Sequence, residues 1–392
     1  MRMDDAATAT REDPFARLTE PDLRRRTSVK WRRFAPDVLP LWVAEMDVDL
    51  AEPVVDALQR AIRDGDTGYP CGPGYAEAYA SFAAERWGWE PAIDPIRLVP
   101  DVMIGISEVF KTLTSPGDTV IVDPPVYPPF YSYLRHLGRR IRPVPLGPDL
   151  RLDLAALEAA FARSRADGAG TAMLLCNPHN PTGTVHSAAE LATLASLAAR
   201  HDVLMVVDEI HAPLTLPGAE FTPFLSVPGG ESGIVVTSAA KGWNLSGLKA
   251  GLAIPGRAAA DALARMPEEV GHGASHLGVI AHSAALHDGG RWLDDVRHAL
   301  LAHRGLLVDL LREQLPSLGW RPGEGTYLAW LDFRALDLGD DPAAVLVERA
   351  RVALTPGPPF GPEGDGFARL NLATSPAIMG EAVRRIAAAV AG

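Results

Sequence analysis

Cysteine is scarce in this chain of 392 residues: there are two, Cys71 and Cys176, far apart in sequence. Neither belongs to a Cys-x-x-Cys pair or to a Cys/His zinc spacing, so neither a disulfide framework nor a metal site is indicated. Two reduced thiols suit a cytoplasmic protein. Positive charge is short as well, with 37 basic against 49 acidic residues and a net charge of −12. That balance argues against a general nucleic-acid binder, which needs a basic face. The basic runs at Arg24 to Arg26 and in "WRRF" read as a solvated arm. No apolar run approaches the length of a membrane span. The first residues, "MRMDDAATATREDPFARL", hold early acids and no apolar h-region, so they read as a frayed leader, not a secretory signal. Internal repeats and low-complexity stretches are missing too.

What is present is the composition of a soluble globular protein, 47 % hydrophobic and 22 % charged. The length allows one large domain with a smaller companion. From about Pro53 to Ala285 short apolar runs alternate with helical patterns. "TVIV" (119–122), "TAMLLC" (171–176), "VLMVVDE" (203–209) and "GIVVTS" (233–238) read as buried strands. "DLAALEAAFARSR" and "SAAELATLASLAARH" read as amphipathic helices, each entered through an acid or a serine. Such alternation predicts an α/β fold, a mostly parallel sheet covered on both faces. Beyond residue 290 the character changes. A long helical pattern (291–315), a strand in "TYLAWLDF", a helix in "PAAVLVERARV", a strand in "GFARLNLA" and a closing helix predict a smaller α+β domain. The early stretch "LPLWVAEMDVD" is expected to join it. The predicted organisation is therefore a flexible arm over 1–25, a small domain from 26–50 and 291–392, and a large α/β domain over 51–290.

In open α/β sheets ligands gather beyond the carboxyl ends of the strands. Three of the predicted strands end in chemistry: "LLCNPHNPTG", "VVDEIH" and "TSAAK". They supply Asn180, Asp208, His211 and Lys241. Taken singly, each has an ordinary reading as a turn, a cap, a core histidine or a surface lysine. A lysine at the end of a buried strand is costly unless it is paired or reactive, and three neighbouring strand ends of this kind are hard to explain as packing.

These residues resemble the fold-type I enzymes that depend on pyridoxal 5′-phosphate (PLP), in the aminotransferase class I/II group. Within that group "LPLWVAEMDVD", "PVYPPF", "NPHNPTG", "DEIH", "AAKGWNLSGLK" and "TPGPPFGPEGDGFARLNLA" are similar to the MalY/PatB-type cystathionine β-lyases, or C–S lyases. The resemblance runs from about Lys30 to the C-terminus. It implies a large, mostly parallel sheet of the seven-stranded type and a smaller α+β domain. It implies that Lys241 forms the Schiff base with PLP, that Asp208 partners the pyridinium nitrogen, and that Tyr127 stacks on the ring. Asn180 and His211 would contact the ring's 3′-oxygen. The phosphate would rest on the backbone N–H groups of Val102 and Met103, with Ser238, Lys249 and the neighbouring subunit's copy of Tyr69 as side-chain partners. Arg369 would grip the substrate carboxylate.

The implied protein is a cytoplasmic homodimer with shared active sites, acting on an amino acid and binding no metal, nucleic acid or membrane. The implied reaction is α,β-elimination from L-cystathionine or another S-substituted cysteine, giving a thiol, pyruvate and ammonia. An aminotransferase on the same scaffold and a tailoring lyase of a specialised pathway use the same cofactor residues, because function belongs to the site and not to the fold. One departure bears on the substrate: the family commonly reads "WVADMDF" where this chain has "WVAEMDV".

Overall fold

The structure is a computed structural model that describes residues 12–391. A seven-stranded sheet forms from β1 (Arg97–Val99), β2 (Thr119–Val122), β3 (Arg140–Pro143), β4 (Thr171–Cys176), β5 (Val203–Asp208), β6 (Ile234–Thr237) and β7 (Gly251–Pro255). Their spatial order is β1-β7-β6-β5-β4-β2-β3. Strands β2 to β6 run parallel, while β7 is antiparallel to both of its neighbours. Successive residues of one strand serve opposite cores. Met173 and Leu175 of β4 and Val207 of β5 join one apolar cluster; Ala172, Leu174 and Val206 join the other. A strand buried on both faces has no polar side to show, which is why these runs are continuously apolar.

The predicted strands at 119–122 and 171–176 match the observed ones residue for residue. The edge strand β3 escaped, because "RIRP" is only partly buried and lacks an apolar signature. The helix predicted from "SAAELATLASLAARH" spans Ala188–Arg200, and Ser187 with Glu190 closes a capping box at its start.

A second sheet pairs β8 (Gly319–Trp320), β9 (Leu328–Asp332), β10 (Thr355–Pro356) and β11 (Phe367–Asn371) in the order β10-β11-β9-β8. The long helix Gly290–Gln314 leads into it. The early strand Leu39–Pro40 pairs in parallel with Val352–Ala353, which ties the "LPLWVAEMDVD" stretch to this late part of the chain.

The expected arm over 1–25 differs from what is seen. Residues 1–11 lie outside the described residues. From there on the chain is packed: Phe15 and Leu23 are fully buried, and Asp13 meets His303 of the long helix at 2.9 Å. Two large apolar side chains within a polar stretch are enough to anchor it.

Segment 44–47 is fixed from several sides. Lys30 and Asp47 form an ion pair of 2.8 Å, both about 1 % exposed. Lys30 also donates to the Glu45 carbonyl at 3.0 Å, and the Trp31 indole donates to Asp47 at 2.8 Å. Asn371 donates to the carbonyls of Val43 and Glu45. Burial pulls the Lys30 amine below its usual range, and Asp47 pulls it back. Removing one member of such a pair leaves an uncompensated charge in a dry interior. Asp47→Ala is therefore expected to cost about 3–5 kcal/mol. Urea unfolding followed by circular dichroism checks this, and the double variant Lys30→Met/Asp47→Leu should recover at least half of the loss.

Candidate active site

A cavity of about 280 Å³ opens at the carboxyl ends of the central strands. Strand register builds it. Cys176, Asp208 and Val236 occupy one cross-strand row, so β4, β5 and β6 end side by side. Asp208 closes β5 with its side chain toward the cavity, and its Oδ1 accepts the Ile210 N–H at 3.0 Å. Glu209 takes the opposite direction, as strand alternation requires, and its Oε1 accepts the Phe224 N–H at 2.7 Å. Of two adjacent acids, one is thus left to the cavity and the other is absorbed by the scaffold.

Lys241 reaches the cavity from the turn after β6. Its amine donates to the Ala44 carbonyl at 2.9 Å and lies 3.3 Å from the Ser246 hydroxyl. The side chain is partly exposed and lines the cavity. Burial brings its pKa down to about 8, and the Arg369 charge adds to that shift. Burial also raises Asp208, to about 7, against the pull of the Ile210 N–H and the Lys241 charge. The His211 imidazole is driven well below its usual range by burial, then by Lys241 and Arg369, and so is neutral. Its Nδ1 is buried without a hydrogen-bond partner.

The starts of two helices complete the lining. In α1 (Val102–Leu113) Asp101 is the N-cap and accepts the Ile104 N–H at 2.8 Å. Val102 and Met103 line the cavity with first-turn N–H groups that a helix cannot satisfy internally. Gly105 lets α1 sit this close to the sheet, because a Cβ there would meet Val99 and Val236 at 2.8 and 2.9 Å. In α2 (Pro128–His136) Tyr127 is the residue before the first turn, and its partly buried ring lines the cavity together with Tyr133. Burial raises the Tyr127 phenol above its usual range.

Arg369 on β11 is buried and has no carboxylate partner among the described residues. Its Nη1 donates to Asn180 Oδ1 at 2.8 Å, its Nη2 to Thr355 Oγ1 at 3.2 Å, and its Nε is unpartnered. Burial lowers it to about 10, still a cation at neutral pH. A buried guanidinium with spare donors is poised for an external anion.

Of the residues singled out from sequence, Val102, Met103, Tyr127, Asn180, Asp208, His211, Lys241 and Lys249 share this one cavity, and Arg369 joins it through Asn180. Lys249 is paired to Asp101 at 2.9 Å at the start of α1 and is more than half exposed. Two residues stand apart. Ser238 does not line the cavity: its hydroxyl donates to the Ala250 carbonyl at 2.7 Å and accepts the Ala240 N–H at 3.1 Å, as a buried hydroxyl at a strand end must. Tyr69 lies outside the cavity and is 79 % exposed, with His272 at 5.7 Å between ring centroids. The sequence reading missed Ser246, Tyr133, the Ala44 carbonyl and Asp101. Only Asp101 carried a signal, as an acid just before the apolar helix "VMIG".

No group of three or more metal-binding side chains occurs among the described residues, and no described helix is long and apolar enough to cross a membrane.

The sequence model of the family described as aminotransferase class I and II matches residues 37–386. A Mycobacterium tuberculosis (strain H37Rv) protein named "Putative cystathionine beta-lyase" is 53 % identical, over 95 % of this chain and 97 % of the relative. The cystathionine beta-lyase of Corynebacterium glutamicum is 35 % identical, over 93 % and 97 %. The crystal structure of a "putative plp-dependent beta-cystathionase" from Corynebacterium diphtheriae superposes with a TM-score of 0.90 at 34 % identity, covering 96 % of this chain and 99 % of that one.

The lowered pKa of Lys241 has a direct readout. In the cofactor-free protein, acylation of Lys241 should be half-maximal near pH 8, whereas surface lysines respond near their ordinary value of about 10.4. Arg369→Leu removes a neighbouring cation, which stabilises the ammonium form and moves the Lys241 midpoint upward. Peptide mass spectrometry across a pH series measures both.

Proposed function

The chain belongs to the aminotransferase class I and II family, and on that premise we propose that it is a PLP-dependent carbon–sulfur β-lyase. It cleaves L-cystathionine or another S-substituted L-cysteine to a thiol, pyruvate and ammonia. The observation that carries this reading is the meeting of a low-pKa lysine, a buried carboxyl and a helix N-terminus in one cavity, in a chain similar throughout its length to cystathionine β-lyases.

The residues fit the cofactor chemically. The first-turn N–H groups of Val102 and Met103 suit a phosphate, and Lys249 adds a nearby cation. Asp208 suits a pyridine nitrogen, whose protonated form it favours. The neutral His211 and the Asn180 amide suit a ring oxygen, and the Tyr127 ring offers an apolar face. Ser238 is left out of this cradle because its hydroxyl is already engaged. When bound, PLP supplies an electron sink that stabilises negative charge at the substrate's α-carbon.

The chain's own residues do the rest. Arg369 holds the α-carboxylate and fixes which bond at the α-carbon faces Lys241. The Lys241 amine, neutral in good part above pH 8, takes the α-proton as general base. The Ala44 carbonyl and the Ser246 hydroxyl hold that amine in place while it is free. The β-sulfur then leaves as a thiolate with the bonding electron pair, and hydrolysis of the remaining three-carbon enamine yields pyruvate and ammonia.

The domain division belongs to this reading: residues 51–290 carry the cofactor, while 26–50 with 291–392 carry Arg369. So does the homodimer. A tyrosine as exposed as Tyr69 is best explained as a contribution to the neighbouring subunit's phosphate site. Two unpaired cysteines are consistent with a cytoplasmic enzyme.

Pyruvate should appear continuously from L-cystathionine with no keto acid added, measured with a coupled lactate dehydrogenase assay. Borohydride should attach the cofactor to Lys241, and Lys241→Ala should lower kcat by roughly 100-fold to 10,000-fold. Transamination of alanine with no thiol release from any thioether would overturn the lyase reading and leave the cofactor reading standing. The shared site has its own test. Mixing inactive Tyr69→Phe and Lys241→Ala subunits should restore activity, since one site of each hybrid then has both residues intact.

A further inference from the structure

A helix N-terminus attracts an anion, and α1 already has one of the chain's own. Asp101, its N-cap, lines the cavity with Val102 and Met103. Both oxygens of its carboxylate are engaged. Oδ1 accepts the Ile104 N–H at 2.8 Å, and Oδ2 accepts the Lys249 amine at 2.9 Å. The carboxylate therefore draws on the same two features that suit a phosphate here, the positive end of α1 and the Lys249 charge.

No other lining residue replaces that lysine. Lys241 and Lys249 are the cations among the lining residues, and the Lys241 amine is turned to the Ala44 carbonyl and the Ser246 hydroxyl. Ser238 is engaged with the Ala250 carbonyl. The stem of Lys249 is anchored, because its carbonyl accepts the Ser275 N–H at 2.7 Å. Its amine is less firmly held: in the pair with Asp101 the lysine side chain is 56 % exposed and the acid 29 %. An ion pair so open to water is weak, and its amine changes partner at little cost. A phosphate ester carries close to two negative charges at neutral pH and takes the amine from a carboxylate. Asp101 is then left at the helix start, where its bond to the Ile104 N–H keeps it, with a like charge for company and no cation.

We infer that Asp101 is an internal rival of the cofactor's phosphate, competing with it for Lys249 and for the start of α1, so that the chain holds its cofactor less tightly than the same cradle would without that charge. The inference rests on the cofactor reading and deepens it: loading of the site answers to the concentration of free cofactor. Capping does not require the charge, since serine or asparagine serves an N-cap as well as aspartate. The field of the carboxylate also reaches into the cavity. Burial raises the Tyr127 phenol, and the Asp101 charge adds to that rise.

The probes are pyridoxal 5′-phosphate and pyridoxal, which share the ring and the aldehyde and differ in the phosphate. Each is titrated into the cofactor-free full chain, and bound ligand is measured by equilibrium dialysis. Asp101→Asn keeps an acceptor for the Ile104 N–H and removes the charge. It should lower the Kd for pyridoxal 5′-phosphate by roughly threefold to tenfold, as for removal of one like charge from a partly screened site. Its effect on the Kd for pyridoxal, which brings no such charge, should be less than about twofold. Asp101→Ser, a second uncharged cap, should repeat the result. Lys249→Met should act in the opposite direction, raising the Kd for pyridoxal 5′-phosphate by roughly tenfold and again sparing pyridoxal. Unchanged or weaker binding of pyridoxal 5′-phosphate in both Asp101 variants, or equal gains for the two ligands, would overturn the rivalry. Failure of the wild type to bind pyridoxal 5′-phosphate at all would remove the cofactor reading, and the rivalry with it.

Discussion

The site hangs on one row of backbone pairing. Cys176, Asp208 and Val236 face one another across three parallel strands, and Asn180, His211 and Lys241 follow within five residues of that row. A slip of one residue in β5 would send the Asp208 carboxyl to the other face and bring Glu209 to the cavity. Glu209 prevents this by its own bond to the Phe224 N–H. Apolar burial on both faces of the strands locks the register, so hydrophobic packing decides which acid meets the ligand.

Cations outweigh anions around the cavity. Lys241, Lys249 and Arg369 face Asp208 and Asp101, and one of those acids is already bonded to Lys249. Burial raises Asp208 and lowers Lys241, moving both toward their neutral forms. That imbalance is costly for an empty site and suits a ligand that brings a phosphate and a carboxylate. The cavity thus selects its contents by charge before it does so by shape.

Much of this was legible in the sequence where the signal is local. A continuous apolar run ending in Asp, Asn or Ser-x-x-Lys marks a strand end, and the order of three such ends places them together. The readable residues are those whose backbone sits on the sheet. Ser246 and Tyr133 were not readable, because a serine five residues past the lysine and a tyrosine on a helix look like surface residues until the chain folds over them. The Ala44 carbonyl has no sequence signature at all. Ser238, which the resemblance assigns to the phosphate, carries no local signal of where its hydroxyl points, and here it donates to the Ala250 carbonyl. The packed stretch at Phe15 and Leu23 was hidden by its polar neighbours.

Segment 44–47 separates two duties that often interfere. Its backbone is bolted down by Lys30, Asp47, Asn244 and Asn371, all acting through main-chain atoms or through Asp47. The side chain of residue 45 meets only the Ser28 hydroxyl, at 2.7 Å, and none of those four residues. A mutation of that side chain can therefore leave the carbonyl that positions Lys241 where it is. The Lys241 amine is thus placed by the backbone of this segment, while its protonation still answers to the Glu45 side chain.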